Sequence, residues 1–519
     1  MLPALFTMAA ALAAPSPPVV NVLFRVTPEG SELVEARQLA AGRSSGRAAP
    51  RLGPHPIDVQ LVDAHGGVLA TAQAPDPRHR SLVTPEGDHL HATLVRGAGR
   101  VVVPWQPDAI AVVIDGQRHP LPEVSPAPES ARALPARPPP AAVPIVSSGS
   151  DDERLDLVFL GDGYTAEELD DFADDVERMV DYLLGIEPYG DYASLFNVWR
   201  VDVASAESGV SSETGTVVER DTAYSCAYGC AGLDRLVCCD DVTVLQTVGT
   251  ALPGAEGVMV LVNDDKYGGS GGFTYATSYV GEDFGTQVAA HELGHTLVGL
   301  WDEYGYGIDG DGDGPNCSSD SEGAWDEWVG TDGVDAFPEC SYNSLHRPTL
   351  EGCMMRTLQD GYCPVCRQEA VLAMYERLPS LILEVSPDDG VVGSDPPAFE
   401  AVVVSDEVLR VEWLLDGELI ATGSTFAPDC FAQSGVLTVR AVDDTPWVRE
   451  DPDGRLEETA GAWVVTAGEC DDPATTASPM LEDTGGSDTV ACACQSTTGP
   501  AGGIAAFPSL LIWWLRRRR

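Results

Sequence analysis

Nine residues, Gln287-Val288-Ala289-Ala290-His291-Glu292-Leu293-Gly294-His295, constrain the fold of this chain more than any other segment. On an α-helix successive residues turn by about 100°, so His291 and His295 fall about 40° apart on one face. Two imidazole nitrogens on that face can reach one ion, and Glu292 beside them is placed to act as a general base toward water. The apolar approach to His291 predicts a buried helix. The surrounding domain must therefore be built around a polar centre.

Zinc in hydrolases usually takes three protein ligands and keeps one position for water. In the metzincin pattern a Gly follows the second His by three residues, and a third His follows that Gly by three. Here Gly299 comes four residues after His295, and Asp302 follows Gly299 by three. Continued helix geometry would place Asp302 about 20° from His291, and a turn at Gly299 would also bring it back. Asp302 is the expected third ligand, with Glu303 as its rival and a capping role as the alternative for either. Upstream, Gly268-Gly269-Ser270-Gly271-Gly272-Phe273-Thr274-Tyr275 reads as an edge strand whose glycines let a substrate backbone approach, or else as a flexible loop. Downstream, Cys353-Met354-Met355-Arg356 offers either a Met-containing turn beneath the ion or an ordinary core Met. A Tyr or His between Tyr342 and His346 is expected to stabilise an oxyanion, and spacing selects none of them.

The chain has 519 residues, enough for two to four domains. Residues 1–14 are apolar and end in small residues before Pro15, the pattern of a signal peptide, although no Lys or Arg stands near Met1. Short strand-like runs separated by turn residues, such as Asn21 to Val26, Asp58 to Val62 and Ala109 to Ile114, predict an N-terminal β-sandwich over 19–124. A Pro-rich linker is expected over 125–150, with seven prolines between Ser125 and Pro144. From Asp151 the pattern becomes strand-helix-strand: Leu155 to Leu160, a Thr165/Glu168 capping box with an apolar face from Leu169 to Leu183, then Phe196 to Val203 and Gly257 to Val262. This predicts an α/β (α+β) catalytic domain over 151–378. An immunoglobulin-like β-sandwich is expected over 380–471, with Trp413 in its core and Cys430 paired to Cys470. A disordered linker (472–499) and a hydrophobic anchor or sorting tag (500–519), ending in four arginines, complete the chain.

Charge narrows the partners. With 30 basic against 81 acidic residues the formal charge is −51, which excludes nucleic-acid binding through phosphate contacts and simple adsorption to anionic lipid. Thirteen cysteines beside an export signal predict disulfides and an oxidising compartment. Nine of them lie between Cys226 and Cys366, so at least one stays free or pairs outside that region. Cys363-x-x-Cys366 could suggest zinc or redox chemistry, but in such a domain it is read as part of a disulfide. Asp309-Gly310-Asp311-Gly312-Asp313-Gly314, with Asp320 in twelfth position, echoes a Ca2+ loop. Pro315 and the terminal Asp depart from it, and an acidic turn is the alternative.

Several motifs in order then carry a resemblance: Leu155 to Gly163, Asp234-Arg235-Leu236 with Cys238-Cys239, Tyr267 to Gly272, His291 to Tyr304, Pro315-Asn316-Cys317 and Cys363-Pro364-Val365-Cys366-Arg367. Over about residues 150–375 the chain resembles peptidase family M64, the IgA-peptidase family of zinc metallopeptidases. The resemblance implies a metzincin-like zinc endopeptidase core, here flanked by β-sandwiches, with one Zn2+ held by His291 and His295 and with Glu292 as general base. It implies protein or peptide substrates without implying cleavage of IgA. The tail, with Cys492-Ala493-Cys494, an apolar stretch and terminal arginines, resembles the MYXO-CTERM class of surface-sorting tags. That resemblance implies attachment to the membrane or cell surface, a plain transmembrane helix being the alternative. Two other functions stay open: a surface-displayed binding protein with an inactive peptidase-like centre, and a zinc amidase acting on cell-wall peptides.

Overall fold

Leu155–Asp162 is buried at every position, as expected of a strand covered on both faces. In the computed structural model it lies inside a six-stranded sheet ordered Ala142–Val146, Phe196–Val201, Leu155–Asp162, Gly257–Val262, Ala276–Tyr279, Gly269–Ser270. The four inner strands run parallel, and the outer two pair antiparallel to their neighbours. Described are residues 18–468, apart from 40–52, 54, 84–88, 123–139, 311, 359–360 and 394. The expected leader, most of the Pro-rich linker, Cys470 and everything after it lie outside the described residues.

Four α-helices accompany the sheets among the described residues: α1 (Leu169–Leu183), α2 (Asp241–Ala251), α3 (Gly285–Leu293) and α4 (Pro364–Arg377). The chain enters α1 through the expected Thr165/Glu168 capping box, and Phe172, Val176, Met179, Val180 and Leu183 face the core. Helix α2 is capped by the Asp240 carboxylate, which accepts from the Thr243 N–H. Helix α3 follows the strand Ala276–Tyr279 and packs on that strand and on α1.

N-terminal to the central sheet, a three-stranded sheet (Gly30–Leu39, Val19–Thr27, Gly97–Pro104) and a four-stranded sheet (Val68–Ala74, Ile57–Val62, Ala111–Ile114, Gln117–Pro120) enclose one apolar cluster that includes Phe24, Leu61, Val103 and Ile114. A hairpin of His79–Val83 and His89–Thr93 stands apart from both sheets. It crosses to the edge of the central sheet, where Ser81 and Gly271 exchange backbone hydrogen bonds of 3.1 and 2.8 Å.

C-terminal to α4, sheets of three and five strands surround the buried Trp413 and Trp463, whose rings lie 5.8 Å apart. This core is continuous with that of the central sheet, running from Leu183 and Met374 to Trp413. At the junction the Asp443 carboxylate accepts from the Tyr192 and Tyr375 hydroxyls at 2.6 and 2.7 Å. The molecule is thus mixed and strand-rich, with several sheets and few helices.

Disulfides join Cys226 to Cys239, Cys230 to Cys238 and Cys317 to Cys340, which fits an oxidising compartment. Cys430 is also disulfide-bonded, and its expected partner Cys470 lies outside the described residues. The expectation for Cys363-x-x-Cys366 is corrected. Both cysteines are free and buried together with Cys353, because the start of α4 turns their sulfurs inward toward Glu303. Among the described residues no helix is long and apolar enough to cross a membrane.

Candidate metal centre

Helix α3 supplies His291 and Glu292, and a π-helical turn, Gly294–Val298, continues it through His295. Gly299 then takes φ 77°, in the left-handed region where a side chain is strained. There the Gly299 and Leu300 N–H groups return to the carbonyls of His295 and Gly294, both at 3.0 Å. The π-turn accommodates the extra residue that separates this spacing from the metzincin pattern. The chain reverses, and Asp302 Oδ1 comes to 3.3 Å from Nε2 of both His291 and His295.

Each ring is oriented by its other nitrogen. His291 Nδ1 lies 2.8 Å from the Met354 carbonyl, and His295 Nδ1 lies 2.7 Å from the Leu300 carbonyl. Carbonyls only accept, so Nδ1 carries a proton and Nε2 is the nitrogen turned to the centre, the one that would coordinate an ion in place of its own proton. His291 Nε2, Asp302 Oδ1 and both Glu292 oxygens are buried without a hydrogen bond. Orphaned atoms of this kind are costly unless they share a partner. The edges of a zinc tetrahedron with bonds of 2.0–2.1 Å measure about 3.3 Å. The observed separations fit that figure, and two imidazoles with one carboxylate are a zinc donor set.

Electrostatics point the same way. Burial disfavours charge on His295, yet Asp302 outweighs it and lifts the ring to about 9. Burial would raise Asp302, but the two histidines hold it well below the ordinary carboxylate range. Glu292 is pushed by burial up to about 7, against the pull of His291 and His295. The centre is arranged to hold positive charge beside a carboxylate that has no other partner.

The surroundings explain several sequence features. Cys353-Met354-Met355 forms a turn against α3: Met354 orients His291, the Met355 carbonyl accepts from the Glu303 N–H at 2.9 Å, and its sulfur lies where a Cβ on Gly294 would be crowded. Gly269–Ser270 is the last strand of the central sheet, and its outer side is bridged at Gly269 by Leu236, the Gly269 N–H donating to the Arg235 carbonyl at 3.2 Å. A Cβ on Gly271 would stand 1.9 Å from Glu292 Oε2, so only Gly lets this backbone pass. Glu303, the rival ligand, faces the other way, because successive residues of extended chain point to opposite sides. Its Oε1 lies 3.1 Å from Cys366 Sγ and 3.2 Å from Cys353 Sγ.

Two other expectations concern the acidic loop and the segment Tyr342 to His346, as far as the described residues go. Asp313 and Asp320 accept from nearby backbone N–H groups, and no three acids of that loop converge on a common point. His346 turns to the Ser318 carbonyl. Tyr342 lines a small cavity with His295, Phe273 and Tyr306, and Tyr306 donates to Asp302 Oδ2 at 2.7 Å.

Sequence reasoning gave no role at the site to three contributors. Tyr306 follows Asp302 by four residues, and an aromatic just past a candidate ligand was the signal available. Asn316 brackets Trp301, accepting from its N–H and donating to its carbonyl, both at 2.8 Å, and so fixes the backbone that delivers Asp302. The hairpin at Ser81 stands 214 residues before His295, with Ser81 Oγ 3.5 Å from His295 Nε2, and no local pattern links the two. His79 and His91 from this hairpin pack on Tyr306, the His91 ring stacked at 4.1 Å. Beneath this cover His291, Glu292 and Asp302 are fully buried and His295 is 4% exposed.

Residues 143–331 match the family model described as IgA Peptidase M64. The matched span carries the central sheet, α1 to α3 and the whole His291–Asp302 constellation, and it stops before the Met354 turn and α4. The match supports a metallopeptidase acting on protein or peptide substrates. No curated protein matches the chain.

Proposed function

We propose that the chain is a zinc-dependent endopeptidase of extracellular proteins, with His291, His295 and Asp302 holding the ion and Glu292 acting as general base. The observation that carries this reading is the convergence of three buried donor atoms, two edges of 3.3 Å, beside a carboxylate with no hydrogen bond. Zinc held there supplies a Lewis acid for the scissile carbonyl and lowers the pKa of water. Glu292, with both oxygens free, takes the proton from the attacking water and returns it to the leaving amine. Met354 and Leu300 hold the rings in the tautomer that coordination needs, and Tyr306 and Asn316 hold Asp302 in place.

An extended substrate would add beside Gly271, where the chain runs on past the pairing of Gly269 with Leu236, as in other strand-addition sites. Ser81 already occupies Gly271, so the described form is closed and substrate entry requires the hairpin to leave. The finer architecture follows the same reading: a metzincin-like core over 151–378 between two β-sandwich domains. Export by the 1–14 leader and surface attachment through the tail complete it.

A peptide-library digest by wild type and Glu292→Ala side by side tests the proposal. Cleavage by wild type should disappear on chelation, return with zinc and be absent from the variant. Chelator-insensitive cleavage, or full activity of Glu292→Ala, contradicts it.

A further inference from the structure

A second group of ligand atoms lies behind the first. Glu303, Cys353, Cys363 and Cys366 are all buried, and one ligand atom from each lies within 4.8 Å of the other three. They come from three separate segments: the residue after Asp302, the residue before Met354, and the start of α4.

Hydrogen bonding alone accounts poorly for this cluster. Glu303 Oε1 faces Cys366 Sγ at 3.1 Å, Cys353 Sγ at 3.2 Å, Cys363 Sγ at 3.7 Å and Asn316 Nδ2 at 3.2 Å. One oxygen with two lone pairs would serve four donors, while Oε2 has none. A disulfide does not account for it either. Cys353 Sγ and Cys366 Sγ stand 3.7 Å apart, far beyond a bond of about 2.0 Å, and three thiols cannot all pair.

Coordination accounts for both distances and composition. Zinc–sulfur bonds of about 2.3 Å give tetrahedral edges of about 3.8 Å between sulfurs and about 3.5 Å from sulfur to a carboxylate oxygen. The observed 3.7 Å between sulfurs falls at the first edge, and the sulfur–oxygen distances of 3.1, 3.2 and 3.7 Å bracket the second. Backbone N–H groups of Cys363 and Cys366 point at sulfurs, both at 3.5 Å, from the positive end of α4. Such contacts stabilise thiolates. A cluster of three free thiols would also be exposed to oxidation in the compartment where the other cysteines have paired, and a bound ion removes that hazard.

We propose that Cys353, Cys363, Cys366 and Glu303 form a second, structural Zn2+ site. The ion is closed off by four protein ligands, as structural zinc sites are, and binding releases the thiol protons. It ties together the segments that deliver Asp302 and the Met354 carbonyl to the first centre.

The test uses the full chain loaded with zinc, and in parallel with cobalt(II), whose thiolate complexes absorb by charge transfer in the near ultraviolet. Wild type should carry about two zinc ions per chain. His291→Ala should keep one and retain the thiolate-to-cobalt band, whereas Cys363→Ser should lose the band. A wild-type cobalt spectrum without that band overturns the proposal without reference to any variant. So does a disulfide between two of the three cysteines found by mass spectrometry of the unreduced protein. Loss of zinc confined to the cysteine variant, with no metal at the histidine centre, would instead uphold this site and overturn the peptidase reading.

Discussion

At the residue scale the account turns on Asp302. Its spacing from Gly299 already pointed to it, but only the reversal at Gly299 separates it from Glu303, and that depends on a π-turn no composition signals. Asp302→Ala should lower zinc affinity at the histidine centre by at least the roughly hundredfold that an outer-shell partner alone can cost. Competition with a calibrated chelator measures this, and an unchanged affinity contradicts the assignment. Gly271 offers a second test. Because a Cβ there would overlap Glu292 Oε2, Gly271→Ala should retain the fold, by circular dichroism, and lose most of its hydrolysis. Retained activity would mean that Glu292 has room it does not show here. The roles of Tyr306 and Asn316 escaped sequence reasoning for a common reason: each acts by touching the segment that carries Asp302, and contact is not written in spacing.

At the element scale, α1 was fully legible, since a capping box and a 3.6-residue apolar face are local signals. The hairpin over the centre was not, since its pairing with Gly271 is set by tertiary structure. The Ser81 N–H donates to the Gly271 carbonyl, and one backbone hydrogen bond contributes about 1 kcal/mol net. Ser81→Pro removes that donor and should raise kcat/KM about fivefold if the hairpin restricts entry. A lower or unchanged kcat/KM contradicts the closed-form reading. The turn at Gly299 carries its own prediction. Gly299→Ala forces a side chain into the left-handed region and should cost about 1–2 kcal/mol, read as a lower Tm in calorimetry.

At the scale of the whole molecule, length leads to an expectation of two to four domains, and the described residues form strand-rich sheets N-terminal and C-terminal to the central one. What the sequence concealed is that the central and C-terminal parts share one core and one buried carboxylate. Alternation of apolar residues says which face is buried and not against what. Asp443→Ala leaves the buried Tyr375 hydroxyl without its acceptor and Tyr192 with Thr445 Oγ1 alone, and should cost about 1–3 kcal/mol. In urea both parts should then unfold together at a lower midpoint, and two separate transitions would contradict the shared core. The central claim is most directly tested by an anomalous-difference map at the zinc edge from crystals of the full chain. The account predicts a peak within about 2.0–2.2 Å of His291 Nε2, His295 Nε2 and Asp302 Oδ1. No peak there from zinc-loaded protein, or a peak held by the histidines with Asp302 turned away, would contradict it.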